Sequence, residues 1–138
     1  MHPKQILIVD DEPVLARGLV EALTRSNGEY QVYVAHSGEE ALELLHRSPQ
    51  DLLVTDLHMP GIDGLELIRW VRAFYPHMTT ILITATADDV VERQARSCGV
   101  SGFIAKPFEL QRFLETVRDL LHAPGAEQVT AEQRKAYF

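Results

Sequence analysis

Ile6-Leu7-Ile8-Val9-Asp10-Asp11-Glu12-Pro13 is the stretch that decides the fold. Four consecutive apolar residues followed at once by two carboxylates read as a strand buried on both faces, with its acids at the C-terminal end. Three later runs have the same form. Leu52-Leu53-Val54-Thr55 leads into Asp56, Ile81-Leu82-Ile83 into Thr84, and Phe103-Ile104-Ala105 into Lys106-Pro107. Parallel strands would bring three carboxylates, a hydroxyl and an ammonium to one sheet edge. Such a set suits a divalent metal and a phosphoryl group.

Amphipathic segments alternate with these runs. The spacing predicts strands over 5–9, 30–35, 51–55, 79–83 and 102–105, and helices over 12–26, 38–47, 65–75, 88–97 and 108–122. In the first helix Val14, Leu15, Leu19, Ala22 and Leu23 fall at helical spacing, Pro13 suits the opening turn, and Asn27-Gly28 stops it. Ser37 with Glu40 three residues on has the form of a capping box. Pro60-Gly61-Ile62-Asp63-Gly64 is turn chemistry, with glycines free to take positive φ. Gly99 is placed to close the fourth helix, a more polar one. Five βα repeats imply an α/β fold: a single (βα)5 doubly wound domain with a five-stranded parallel sheet and right-handed crossovers. The expected strand order is 2-1-3-4-5, with the ligand site outside the strand ends at the switch between the first and third strands. Asp10, Asp11 and Asp56 fall there.

The domain is expected to span 1–123 and to end at Pro124-Gly125. Residues 124–138 form a polar tail or the start of a linker to an output domain, in which Thr130 and Gln133 could cap a short helix. A chain of 138 residues fits one domain with a substantial core. Its formal net charge of -7 repels a phosphate backbone, so direct nucleic-acid binding by this segment is not expected. Cys98 is the only cysteine, which excludes an intramolecular disulfide and suits a reducing compartment. No apolar run approaches the roughly 20 residues of a membrane span. The N-terminus leads straight into a strand-like run with no signal-peptide pattern, so a cytoplasmic location and no membrane association are expected.

An Asp after a strand often does no more than cap the next helix, and an isolated Asp56 could be a turn residue. The combination asks more. Each close carboxylate pair costs roughly 4 kcal/mol at an effective dielectric near 20. Without a countercharge, one carboxyl should hold a proton. Mg²⁺ removes that problem with oxygen ligands, and no His/Cys cluster points to a softer metal. Lys106 could be a solvated surface lysine. It could equally pair with a carboxylate or a phosphate oxygen, and its bond to Pro107 is a candidate for cis geometry. The Thr84 hydroxyl could stiffen a strand or bond a phosphoryl oxygen. Together the set describes phosphoryl transfer onto Asp56 as an ionised nucleophile that needs no general base.

At this point the sequence resembles the response-regulator receiver domains of two-component signalling. The likeness rests on Ile8 to Pro13, Asp51 to Gly64 (with Asp56-Leu57-His58-Met59-Pro60-Gly61), Ile83-Thr84-Ala85 and Lys106-Pro107-Phe108, and covers about residues 4 to 123. The expected sheet order is one already described for that family. The resemblance implies a flavodoxin-like fold and Asp56 as phosphoacceptor, loaded from a phosphohistidine on a sensor histidine kinase or a histidine phosphotransfer protein. Asp11, Asp56 and the backbone carbonyl of His58 would hold Mg²⁺, with Asp10 acting largely through water. Thr84 and Lys106 would contact the phosphoryl group. Thr84 and Phe103 would form the switch, its output carried by the face of the fourth helix, fifth strand and fifth helix toward an output domain or effector. A homodimer through that face is open. Such a protein is not a conventional enzyme: it catalyses its own phosphorylation and slow autodephosphorylation. Phe103 could instead be an ordinary core aromatic. The His58 ring is not expected to bind metal; His58 and Thr86 are expected to tune phosphate lifetime by controlling water access. Two alternatives stand beside this reading. One is a receiver-like binding module that is never phosphorylated. The other is a haloacid-dehalogenase-like phosphatase, which would want a second Asp where this chain has His58.

Overall fold

The computed structural model describes residues 2–26 and 28–122. Ten elements alternate without exception: β1 (Lys4–Val9), α1 (Pro13–Thr24), β2 (Tyr30–Ala35), α2 (Gly38–Arg47), β3 (Leu52–Asp56), α3 (Gly64–Phe74), β4 (Thr79–Thr84), α4 (Asp89–Cys98), β5 (Gly102–Ala105) and α5 (Leu110–His122). The five strands are all parallel, in the order β2-β1-β3-β4-β5. The expected fold class and sheet order are therefore present. The tail expectations for 124–138, including the Thr130 and Gln133 cap, lie outside the described residues.

Strand alternation sorts the core into two layers. Ile6, Ile8, Leu52, Val54, Ile81, Ile83 and Ile104 pack with α1 and α5. Leu7, Val9, Leu53, Leu82 and Phe103 pack with α2, α3 and α4. Full burial of each such aliphatic side chain contributes about 1.5–3 kcal/mol. Helix α1 rests on Ala16, Leu19, Ala22 and Leu23. Val14, expected in that stripe, is 82% exposed. At 100° per residue it lies well over a quarter-turn off the line through Ala16, Leu19 and Leu23.

Local signals set most helix ends. The Ser37 hydroxyl accepts from the Glu40 N–H, as the capping pattern predicts. The reciprocal bond is shifted: the Glu40 carboxylate accepts from the His36 N–H, one residue earlier than in a standard box. Asp63 and Asp88 cap α3 and α4 through their side chains. Gly99 ends α4 at φ 79°, where a Cβ would be strained. Helix α5 begins at Leu110 instead of residue 108, and the Lys106-Pro107 bond before it is cis.

Candidate functional site

Four strand ends converge on one rim. The register aligns Val9 with both Ala35 and Thr55, Asp56 with Ile83, and Thr84 with Ala105. Backbone bonds extend this alignment by one residue past the strands. The Asp10 N–H donates to the Ala35 carbonyl (3.1 Å), the Leu57 N–H to Ile83 (3.1 Å) and the Lys106 N–H to Thr84 (2.8 Å). Residues far apart in the chain are thereby held side by side.

Asp10, Asp11 and Asp56 each place a carboxylate oxygen within 4.8 Å of the others. Asp10 and Asp56 are buried and Asp11 is exposed. This set offers oxygen alone, which fits a hard divalent cation such as Mg²⁺. The Lys106 Nζ lies 3.2 Å from Asp56 Oδ1. Burial pushes the Asp10 carboxyl up from 3.8 to about 6. The Glu12 N–H and Lys106 pull it down, while the Asp56 and Glu12 charges push it further up. Asp10 is thus a buried acid short of positive charge, the condition that a bound cation relieves.

Thr84 is fully buried, and its hydroxyl accepts from the Thr86 N–H at 3.0 Å. Thr86 in turn shares a 3.0 Å hydrogen bond with Nε2 of His58. That bond ties the loop after β3, which follows Asp56, to the loop after β4, which follows Thr84. The His58 ring faces Thr86 instead of joining the acidic set. Sequence reasoning grouped His58 with Thr86 but had no means to see that they touch. Phe103 is buried in the layer beneath α4, so the structure places it in the core as well as on the β5 edge.

Gly64 is a shaping residue that was read differently from sequence. Gly61 takes positive φ (78°), as expected of the turn, but Gly64 does not. Its role is close approach: a Cβ there would overlap the Asp56 carbonyl oxygen. The Gly64 N–H donates to the Leu57 carbonyl (2.8 Å), folding α3 back against the end of β3. The only hint in the sequence was a second glycine three residues after the first.

With this geometry in view, comparisons with known proteins agree. The family model of the response regulator receiver domain matches residues 6–118. Chemotaxis protein CheY of Pseudomonas aeruginosa is 38% identical over 120 residues, covering 84% of this chain and 94% of that protein. Response regulator MprA of Mycobacterium ulcerans is 40% identical over 127 residues, covering 89% of this chain and 52% of that protein. Among solved structures, the signal receiver domain of the putative response regulator NarL from Mycobacterium tuberculosis superposes with a TM-score of 0.82. It is 29% identical, with 90% of this chain and 100% of that chain covered. The chain belongs to the response regulator receiver domain family of two-component signalling. It spans about half the length of several curated relatives that it matches. Receiver domains work with sensor kinases and output domains. Among the described residues, no helix is long and apolar enough to cross a membrane.

Proposed function

We propose that Asp56 accepts a phosphoryl group from the phosphohistidine of a sensor histidine kinase or histidine phosphotransfer protein. The observation that carries this is the meeting of Asp10, Asp11 and Asp56 within 4.8 Å, with Lys106 3.2 Å from Asp56. An Asp56 oxygen forms the new O–P bond as the P–N bond to the donor imidazole breaks, and the ring nitrogen leaves with the bonding pair. Asp10, Asp11, Asp56 and the His58 backbone carbonyl would hold Mg²⁺, which when bound supplies charge neutralisation at the transferring oxygens. Lys106 moves from its pairing with Asp56 to a phosphoryl oxygen. The Thr84 hydroxyl, which accepts from the Thr86 N–H, turns its proton to another.

Docking of the donor is supported by an apolar groove of about 610 Å³ that opens beside Lys106, between α1 and α5. Val14 (82% exposed) and Leu110 (46%) line it. Output would pass through the face of α4, β5 and α5 to an output domain or effector, and a homodimer could use the same face. A second groove, of about 520 Å³, lies there between Phe103, Phe108 and Arg112. Thr84 and Phe103 form the switch. Moving a two-state equilibrium from 1:99 to 99:1 needs about 5.5 kcal/mol, to which charge-assisted bonds from Thr84 and Lys106 would contribute several. The His58–Thr86 bridge would govern water access to phosphorus and so the lifetime of the acyl phosphate. Residues 1–123 would be the working receiver, with 124–138 a tail or linker, in a cytoplasmic setting. The family match sets aside the haloacid-dehalogenase alternative.

The test is intact mass after incubation with acetyl phosphate and Mg²⁺. One phosphoryl group is expected on the native chain and none on Asp56→Asn. No gain on the native chain would favour the unphosphorylated binding module instead.

A further inference from the structure

A third concave site lies on the opposite layer from the α1–α5 groove. It runs between α3 and α4, with a volume of about 470 Å³. Arg69 and Arg72 come from α3, and Val90, Arg93, Gln94 and Cys98 from α4. No carboxylate lines it, although the whole chain carries 20 acidic residues against 13 basic ones. Three arginines therefore line one cleft on a protein whose net charge is -7.

The nearby acids do not quench them. Glu92 is engaged by Arg96 at 3.0 Å, away from the groove lining. Asp89 sits one turn before Arg93 and Glu66 one turn before Arg69, yet neither forms an ion pair with that arginine. Arg72 is held in place: its Nη1 donates to the Pro76 carbonyl (2.9 Å), and its guanidinium lies over Gly99, at the electronegative end of α4. That contact accounts for Arg72 structurally. It does not account for Arg69 and Arg93, which are exposed and unpaired among the described residues.

We infer that the α3–α4 groove docks a short acidic, partly apolar segment of a partner protein. Three features choose this occupant. Arginine forks match carboxylates bidentately. Val90 is 54% exposed at the rim and asks for an apolar cover, which an inorganic anion cannot supply. The α4 stripe from Val90 to Cys98 is about 12 Å long at 1.5 Å per residue, enough for two helical turns of a partner. A nucleic acid fits poorly, because the phosphates that continue past the groove would meet a protein of net charge -7. No aromatic lines the groove to stack a base. The groove shares α4 with the output face but opens toward α3 and takes no residue from β5 or α5, and the inference does not require Asp56 to be phosphorylated.

The test uses the 138-residue chain and a synthetic peptide of about eight residues, two helical turns, with leucine and glutamate at helical spacing. Binding is read by amide shifts and by the fluorescence of Trp70, the chain's only tryptophan, adjacent to Arg69. Shifts are expected to cluster over residues 69–72 and 90–98. Affinity should fall about tenfold or more in R69E/R93E, and should weaken with salt. Both substituted positions are exposed, and unchanged thermal melting of the variant would show that the fold is intact. Absence of binding, equal binding of a peptide with glutamine for glutamate, shifts centred elsewhere, or equal affinity in R69E/R93E would overturn the inference. Tighter binding of pyrophosphate or oligouridylate at the same groove would also overturn it, in favour of a phosphate ligand.

Discussion

Asp10→Asn should make the metal-free protein more stable. The Asp10 carboxyl is 3% exposed, and its folded value of about 6 stands against 3.8 unfolded. That difference corresponds to about 3 kcal/mol of unfavourable charge burial. The sign follows from protons bound. Between 3.8 and about 6 the folded state holds the proton more tightly, so this contribution to stability is complete below 3.8 and is lost as pH rises through about 6. At pH 7.5 the native chain carries the full cost. Asparagine keeps an oxygen to accept from the Glu12 N–H, now 2.8 Å from Asp10 Oδ1, and carries no charge. The variant should therefore gain about 2–3 kcal/mol at pH 7.5, or a rise in Tm on the order of 10 °C. By pH 5 the gain should shrink to about half. Urea unfolding at the two pH values, with chelator present, measures it. Added Mg²⁺ should narrow the gap, since ligand binding stabilises the native chain by mass action and the variant has lost one acidic group. A variant less stable than the native chain at pH 7.5, or a gain independent of pH, would refute the account of Asp10 as a buried charge awaiting a cation.

Other outcomes follow from the same structure. Gly64→Ala should cost about 2–3 kcal/mol in urea unfolding, because the new methyl group meets the Asp56 backbone and not a movable side chain; acetyl phosphate labelling should fall with it. His58→Ala and Thr86→Ala each break the 3.0 Å bond between the loops after β3 and β4. Loss of one hydrogen bond, about 0.5–1.5 kcal/mol, should change the decay rate of phospho-Asp56 by a few-fold to tenfold, and unchanged half-lives in both would remove the proposed role. Ser37→Ala should lower stability by about 1 kcal/mol through the lost N-cap, with Mg²⁺ affinity untouched.

What could be read from sequence alone was whatever depends on neighbours in the chain. Four apolar runs ending in Asp10, Asp56, Thr84 and Lys106 carry strand length, burial on both faces and polar ends, because strand periodicity and hydrophobicity are local properties. Alternation with amphipathic segments then implied a parallel sheet, and handedness left few topologies. The caps at Ser37 and the stop at Gly99 were legible for the same reason. Tertiary structure decided what depends on distances between separate segments. It buried Asp10 while leaving Asp11 in solvent, although both follow the same strand. It turned Val14 out of the core, assigned Gly64 to clearance instead of positive φ, and joined His58 to Thr86 across 28 residues. It also brought Arg69 and Arg93 to one groove from helices that nothing in their own sequence pairs. Periodicity names the face a residue occupies, but only packing of one element on another sets what that face meets.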